Sequence, residues 1–160
     1  MAVIKTFCEW LQDTAFAQSI SETWFPMVES AHVVALSLVA GTIFIVDLRL
    51  VGLASRQMRF TQLSDQVLPW TWRAFVLAAI TGGMLFAANA MTYYDNVPFR
   101  AKMVLLLLAG LNMAYFQFVT FRNVAQWDAG NAAPAARFAG FASLILWTGV
   151  IGFGRWIGFV

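Results

Sequence analysis

Apolar residues recur at three- and four-residue steps near the start of the chain. Ile4, Phe7, Cys8, Leu11 and Ala15 share one helical face, and Lys5, Glu9, Gln12 and Asp13 take the other. That spacing predicts an amphipathic helix over 4–21, lying in a membrane interface or packed on a bundle. Ser21, Glu22 and Thr23 interrupt it, and Pro26 suits the first turn of the helix that follows. Beyond this point the alternation gives way to long uncharged stretches. Four of them predict spanning helices over 24–47, 73–94, 101–122 and 137–157, since a span needs about 20 residues. The first reaches full length only by taking Glu29 and His32 into its outer turns, because its charge-free part is 33–46.

Composition strengthens this reading. The chain is 61% hydrophobic and 11% charged, with a mean hydropathy of +0.71. Soluble domains are about 45–50% apolar and about 25% charged. A body of 17.8 kDa has too much surface to hide such an excess. An ordinary soluble domain, a disordered chain and a disulfide scaffold are excluded. The fold class is all-α: a polytopic four-helix membrane bundle with an N-terminal amphipathic interfacial helix, forming one integral membrane domain over 1–160. The lipid bilayer is its first partner. Cys8, the single cysteine, has no intrachain disulfide partner. Lys5, Glu9 and Asp13 interrupt any apolar run at the N-terminus, so this segment does not read as a signal peptide.

Net charge is +2 with no basic run, which argues against a nucleic-acid partner. The basic residues divide unevenly between the two ends of the bundle. Arg49, Arg56, Arg59, Arg73, Arg122 and Arg137 fall on one side, and Lys5, Arg100, Lys102 and Arg155 on the other. The positive-inside rule then predicts a multi-pass protein of the bacterial inner membrane with both termini in the periplasm. Small pairs recur once per span: Ala40-Gly41, Thr81-Gly82, Ala109-Gly110 and Thr148-Gly149. Two related helical hairpins account for that pattern, and so does ordinary use of small residues at membrane helix contacts.

Ionisable groups inside a membrane are expensive and mark function. Glu29 and the only histidine, His32, lie three residues apart on one face of the first span. Asp47, five full turns after Glu29, continues that stripe about 27 Å away. It is expected to form structural ion pairs at the inner boundary with Arg49, Arg73 or Arg122. Asn89, Tyr93, Tyr94, Arg100, Lys102 and Arg155 gather near the outer ends of the other spans and predict an outward-facing polar pocket with Glu29 and His32. Asn112 lies about 15 Å deeper than Lys102 and needs a partner, with Gln117, Thr42 and Thr81 in view. Trp24, Trp70, Trp72, Trp127 and Trp156 read as an interfacial belt, whereas Trp147 is mid-span and faces a neighbour or a ligand.

Glu29-Ser-Ala-His32, Ala40-Gly41-Thr42 and Val46-Asp47-Leu48-Arg49-Leu50 together resemble a group of small uncharacterised bacterial membrane proteins. In that group a histidine in helix one is followed by a glycine and an Asp-Leu-Arg-Leu run. Leu68-Pro69-Trp70, Phe99-Arg100-Ala101-Lys102 and Ala109-Gly110-Leu111-Asn112 extend the resemblance over about 24–155. It implies four spanning helices and no function.

Three functional readings compete. The favoured one is a small non-catalytic binding or accessory subunit, a homo-oligomer or part of a larger membrane complex. Its ligand pocket is drawn from Glu29, His32, Asn89, Lys102, Asn112 and Arg155. The alternative is an electron-transfer subunit binding a metal or haem b through His32. There Glu29 orients the imidazole, and Met27, Met84, Met91, Met103 or Met113 supplies a second ligand. The third is a proton-coupled carrier working as an oligomer along Glu29, His32, Asn112 and Asp47. The chain offers no nucleophile–base pair, metal-ligand cluster or phosphate loop for a soluble-substrate enzyme.

Overall fold

The computed structural model describes residues 2–55 and 57–159. Arg56, counted above among the basic residues, lies outside the described residues. Helices α1 (Ala2–Gln12) and α2 (Ala15–Ser19) precede four long ones: α3 (Phe25–Val51), α4 (Phe60–Ala88), α6 (Val97–Tyr115) and α7 (Pro134–Trp156). A short α5 (Ala90–Asp95) links α4 to α6. The four long elements are long and apolar enough to cross a membrane. The protein is an all-α, four-helix, multi-pass membrane bundle.

The N-terminal pattern predicted one helix over 4–21, and two are present. Thr14 ends the first and caps the second: its hydroxyl donates to the Leu11 carbonyl at 2.7 Å and accepts from the Ala17 N–H at 3.2 Å. A short β-hydroxyl side chain that bonds the backbone at both ends breaks a helix locally. From α2 the chain runs through a π-helical turn, Ile20–Trp24, straight into α3. The predicted apolar face divides as well. Cys8 is buried against the bundle, while Ile4 and Phe7 are exposed with Val3 and Trp10.

Helix α4 starts at Phe60, well before its uncharged stretch, and ends at Asn89, whose backbone leaves helical geometry at φ −138° and ψ 41°. Its first turn is capped from the other half of the chain. The Asp128 carboxylate accepts from the Thr61 N–H at 2.8 Å and from the Thr61 hydroxyl at 2.9 Å. An anion on the first N–H groups of a helix also meets the favourable end of its dipole. Gly52 closes α3 at φ 85°, a left-handed cap that a side chain would strain.

α3 packs on α4 and on α7, and α7 packs on α6, so the chain forms two helical hairpins joined through α3 and α7. Small residues face inward. Ala35, Ala40, Ala74, Ala78, Ala109, Ala136 and Ala139 are buried, while Leu107, Leu111, Phe138 and Ile145 point out. This is membrane packing: lipid gives large apolar residues no reason to turn inward, and close backbone approach requires small ones. A central cluster holds Val39, Ala74, Ala109, Trp147 and Val150. Trp147 therefore faces neighbouring helices. A second cluster, around Leu50, Phe60, Trp127 and Ala136, closes the end bearing 52–59 and 127–133. Trp127 belongs to it and not to an exposed belt, whereas Trp24, Trp70, Trp72 and Trp156 are exposed.

Candidate functional site

At the end that carries both termini, all four long helices contribute to one polar locus. α3 supplies His32, half-buried, with Nδ1 3.0 Å from Thr81 Oγ1 of α4. The Thr81 hydroxyl has one proton and directs it to the Leu77 carbonyl at 2.7 Å. Nδ1 is therefore the donor to Thr81, and in the neutral ring Nε2 keeps its lone pair. The tip of the ring abuts Gly82: a Cβ there would stand 2.9 Å from His32 Cε1. α6 supplies Lys102, half-buried and within electrostatic reach of the imidazole. Its stem crosses Gly154 of α7, where a Cβ would stand 3.5 Å from Nζ. Two glycines thus make the room in which an imidazole and an ammonium sit between helices.

Around this locus lie an acid and an aromatic stack. Phe86, Tyr93 and Phe99 stack with ring centroids 5.1–6.3 Å apart. Burial, and then the negative charge of Glu29, push the Tyr93 phenol above its ordinary value. Glu29 itself is exposed, so the inward stripe expected to run from Glu29 to Asp47 begins one turn later, at His32. Among the described residues the one ion pair is the exposed Lys5–Glu9 contact at 4.0 Å. Among the described residues no carboxylate lies at ion-pair distance from Lys102.

The remaining expected pocket residues are placed elsewhere. Arg155 is exposed, its guanidinium 5.0 Å from the centre of the Phe159 ring. Asn89 serves through its backbone, donating to the Phe86 carbonyl at 3.2 Å and accepting from Tyr93 at 3.1 Å. Asn112 takes none of the partners expected for it: its Nδ2 donates to the Ala139 carbonyl of α7 at 2.9 Å. Thr42 is occupied by Thr71 at 2.9 Å, and Thr81 by His32. Met27, Met103 and Met113, considered above as second haem ligands, are exposed. Among the described residues no three His, Cys, Asp or Glu side chains gather to hold a metal ion.

At the opposite end the expected ion pairs of Asp47, Arg49 and Arg73 are absent among the described residues. Asp47 and Arg49, two residues apart, leave α3 on different sides. Arg49 is 2% exposed. Its Nε donates to the Met58 carbonyl at 3.0 Å, and an Nη donates to the carbonyls of Asp128 and Gly130 at 3.3 Å each. It binds both loops by their backbones. The same neighbourhood acts on Asp128, whose carboxyl is held below the usual carboxylate range by the Thr61 N–H first, then by the Thr61 hydroxyl, Arg59 and Arg49. Arg73 is exposed with its guanidinium 5.1 Å from the Trp70 ring centre. Asp47 is 5% exposed, with the Ser143 hydroxyl of α7 beside its carboxyl. Ser143 escaped the sequence reading, because one serine in an apolar span carries no signal of its own.

No curated protein and no solved structure matches the chain. Residues 7–160 match a family of unknown function, DUF6644. The match spans nearly the whole chain, and the chain belongs to that family.

Proposed function

We propose that this protein is a non-catalytic membrane binding or accessory subunit whose pocket around His32 and Lys102 holds the headgroup of an anionic lipid. One observation carries this reading: the Lys102 ammonium is drawn in between α6 and α7 with no carboxylate at ion-pair distance among the described residues. A cation taken partly out of water seeks an anion, and basic pockets between spanning helices bind anionic headgroups. His32 Nε2 offers an acceptor beside it for a headgroup hydroxyl. Beyond Lys102 the outward residues of α6, Val104, Leu107, Leu108 and Leu111, offer an apolar track for acyl chains. Glu29 lies at the rim and disfavours a second negative charge there. The charge bias supports a bacterial inner-membrane location with both termini outside, which puts this pocket in the outer leaflet.

Native mass spectrometry tests the proposal with phosphatidylglycerol and phosphatidylcholine offered in equal amounts. Wild type retains phosphatidylglycerol preferentially, and Lys102→Met reduces that retention at least tenfold. Equal retention of both lipids, or no effect of Lys102→Met, overturns it.

The Nδ1–Thr81 bond also favours a second reading, because it leaves free the nitrogen that haem iron takes. An absorption spectrum decides it. A Soret band abolished by His32→Ala supports haem ligation, and a spectrum flat above 300 nm rejects it.

A further inference from the structure

We infer that Asp47 is a membrane-embedded, proton-binding carboxyl, seated where α3 touches α7 at Gly140 and Ser143. This inference is independent of the lipid pocket, which lies about 22 Å away along α3. Seven of the eight acidic residues of the chain are exposed or partly exposed, and Asp47 alone is buried. Its Oδ2 has no hydrogen-bond partner among the described residues. Among the described residues the side chain set beside the carboxyl is Ser143, a single hydroxyl.

The packing leaves little room for a compensating shell of water. A Cβ on Gly140 would stand 2.9 Å from Leu50 Cβ and 3.2 Å from the Asp47 backbone oxygen, so the two helix backbones are in contact here. The charged groups on the elements packed against α3 stand at the surface, Arg137 of α7 in a cleft shared with Arg49, Leu50 and Gly52. Asp65 and Arg73 of α4 are exposed, as are Arg137 and Arg155 of α7 and Glu22 of the π-helical turn. On α3 itself, Arg49 is engaged by three loop carbonyls.

An ionised carboxylate in such a place needs several donors or a cation, and it has one hydroxyl. A metal cation would ask for about six oxygen ligands. The Ala139 carbonyl on the same turn of α7 is already bonded by Asn112. A proton is the ligand this geometry accommodates. Asp47 stands five residues from the Gly52 cap, about 7 Å along the axis, so its proton exchanges with the water at that end.

Dicyclohexylcarbodiimide provides the test, since it reacts with neutral carboxylic acids in apolar surroundings. The acid proton moves to one carbodiimide nitrogen, the carboxyl oxygen adds to the central carbon, and the acyl group then shifts to the other nitrogen. The product contains all atoms of both reactants. Peptide mass mapping of the full chain in lipid nanodiscs, across an acid-to-alkaline series, is expected to find the adduct on Asp47, declining as pH rises and absent in Asp47→Asn. Ser143→Ala removes the one donor to the ionised form, so labelling persists to higher pH. Infrared spectroscopy gives a parallel readout: a protonated-carboxyl C=O band that Asp47→Asn removes. If Asp47→Asn does not fold, the wild-type and Ser143→Ala pH series decide between the outcomes. Labelling that ignores pH, or the absence of both the adduct and the band, overturns the inference.

Discussion

Replacing Gly140 with alanine tests a close backbone contact between α3 and α7. The added Cβ would lie 2.9 Å from Leu50 Cβ and 3.2 Å from the Asp47 carbonyl oxygen. Neither atom is at the end of a rotatable side chain, so no rotamer relieves the contact. Carbon atoms prefer about 3.5–4.0 Å, and α3 and α7 must part by roughly 0.6–1 Å. Overpacking of this kind costs about 1–3 kcal/mol. Drawing the Ser143 hydroxyl away from the Asp47 carboxyl adds up to about 1 kcal/mol, and the better helix propensity of alanine returns about 1 kcal/mol. The net expectation is a loss of about 1–3 kcal/mol. The internal controls are Gly41→Ala and Gly110→Ala, where no atom lies within 4 Å of the added Cβ. These are expected to be neutral or to gain up to about 1 kcal/mol. Reversible unfolding in mixed micelles with increasing dodecyl sulfate, followed by tryptophan fluorescence, compares the three. If Gly140→Ala unfolds at the same detergent fraction as Gly41→Ala, the close α3–α7 approach is refuted.

Gly82→Ala behaves differently, because its Cβ meets the mobile tip of His32 and the ring can swing away. Stability is expected to change by less than about 1 kcal/mol, while nitrogen NMR of the single histidine shows the Nδ1–H tautomer losing its dominance. Arg49→Met leaves three loop carbonyls without their donor and is expected to cost about 3 kcal/mol or more, seen as a lower unfolding midpoint and faster proteolytic cutting within 52–59. Asp128 supplies a pH dependence. Its folded carboxyl titrates below the unfolded one, so its contribution is present above about pH 4 and lost as pH falls through the folded value. An acid titration of wild type against Asp128→Asn is expected to show this loss in wild type alone.

The spans were legible because lipid imposes a length and an absence of charge that composition records directly. Their ends were less so: α4 extends back to Phe60 because Asp128, a residue of the other hairpin, caps it, and no local pattern near Phe60 announces a partner so distant in sequence. His32 and Lys102 stood out as ionisable groups within apolar stretches. That Arg155 would lie on Phe159, and Lys102 along Gly154, depends on which way each residue faces within one turn of a helix, which hydropathy does not encode. Asp47 was legible as a costly residue but was given the wrong kind of partner. Sequence proximity suggested Arg49, two residues away, yet residues at that spacing on a helix point apart. Asp47 meets Ser143 instead, and Arg49 meets backbone carbonyls, which the residue types in a sequence do not distinguish.

The way Arg49 is satisfied bears on how the chain is assembled. Synthesis delivers α3 first, with an aspartate and an arginine near its trailing edge. The Met58 carbonyl follows at once, but those of Asp128 and Gly130 arrive only after α6 is in place, and Ser143 only with α7. Until then the first hairpin carries two ionisable side chains at the lipid boundary with their partners unmade. The last span to be translated completes the polar contacts of the first, so a nascent chain stalled before Pro134 is an incomplete object for the machinery that inserts and inspects membrane proteins.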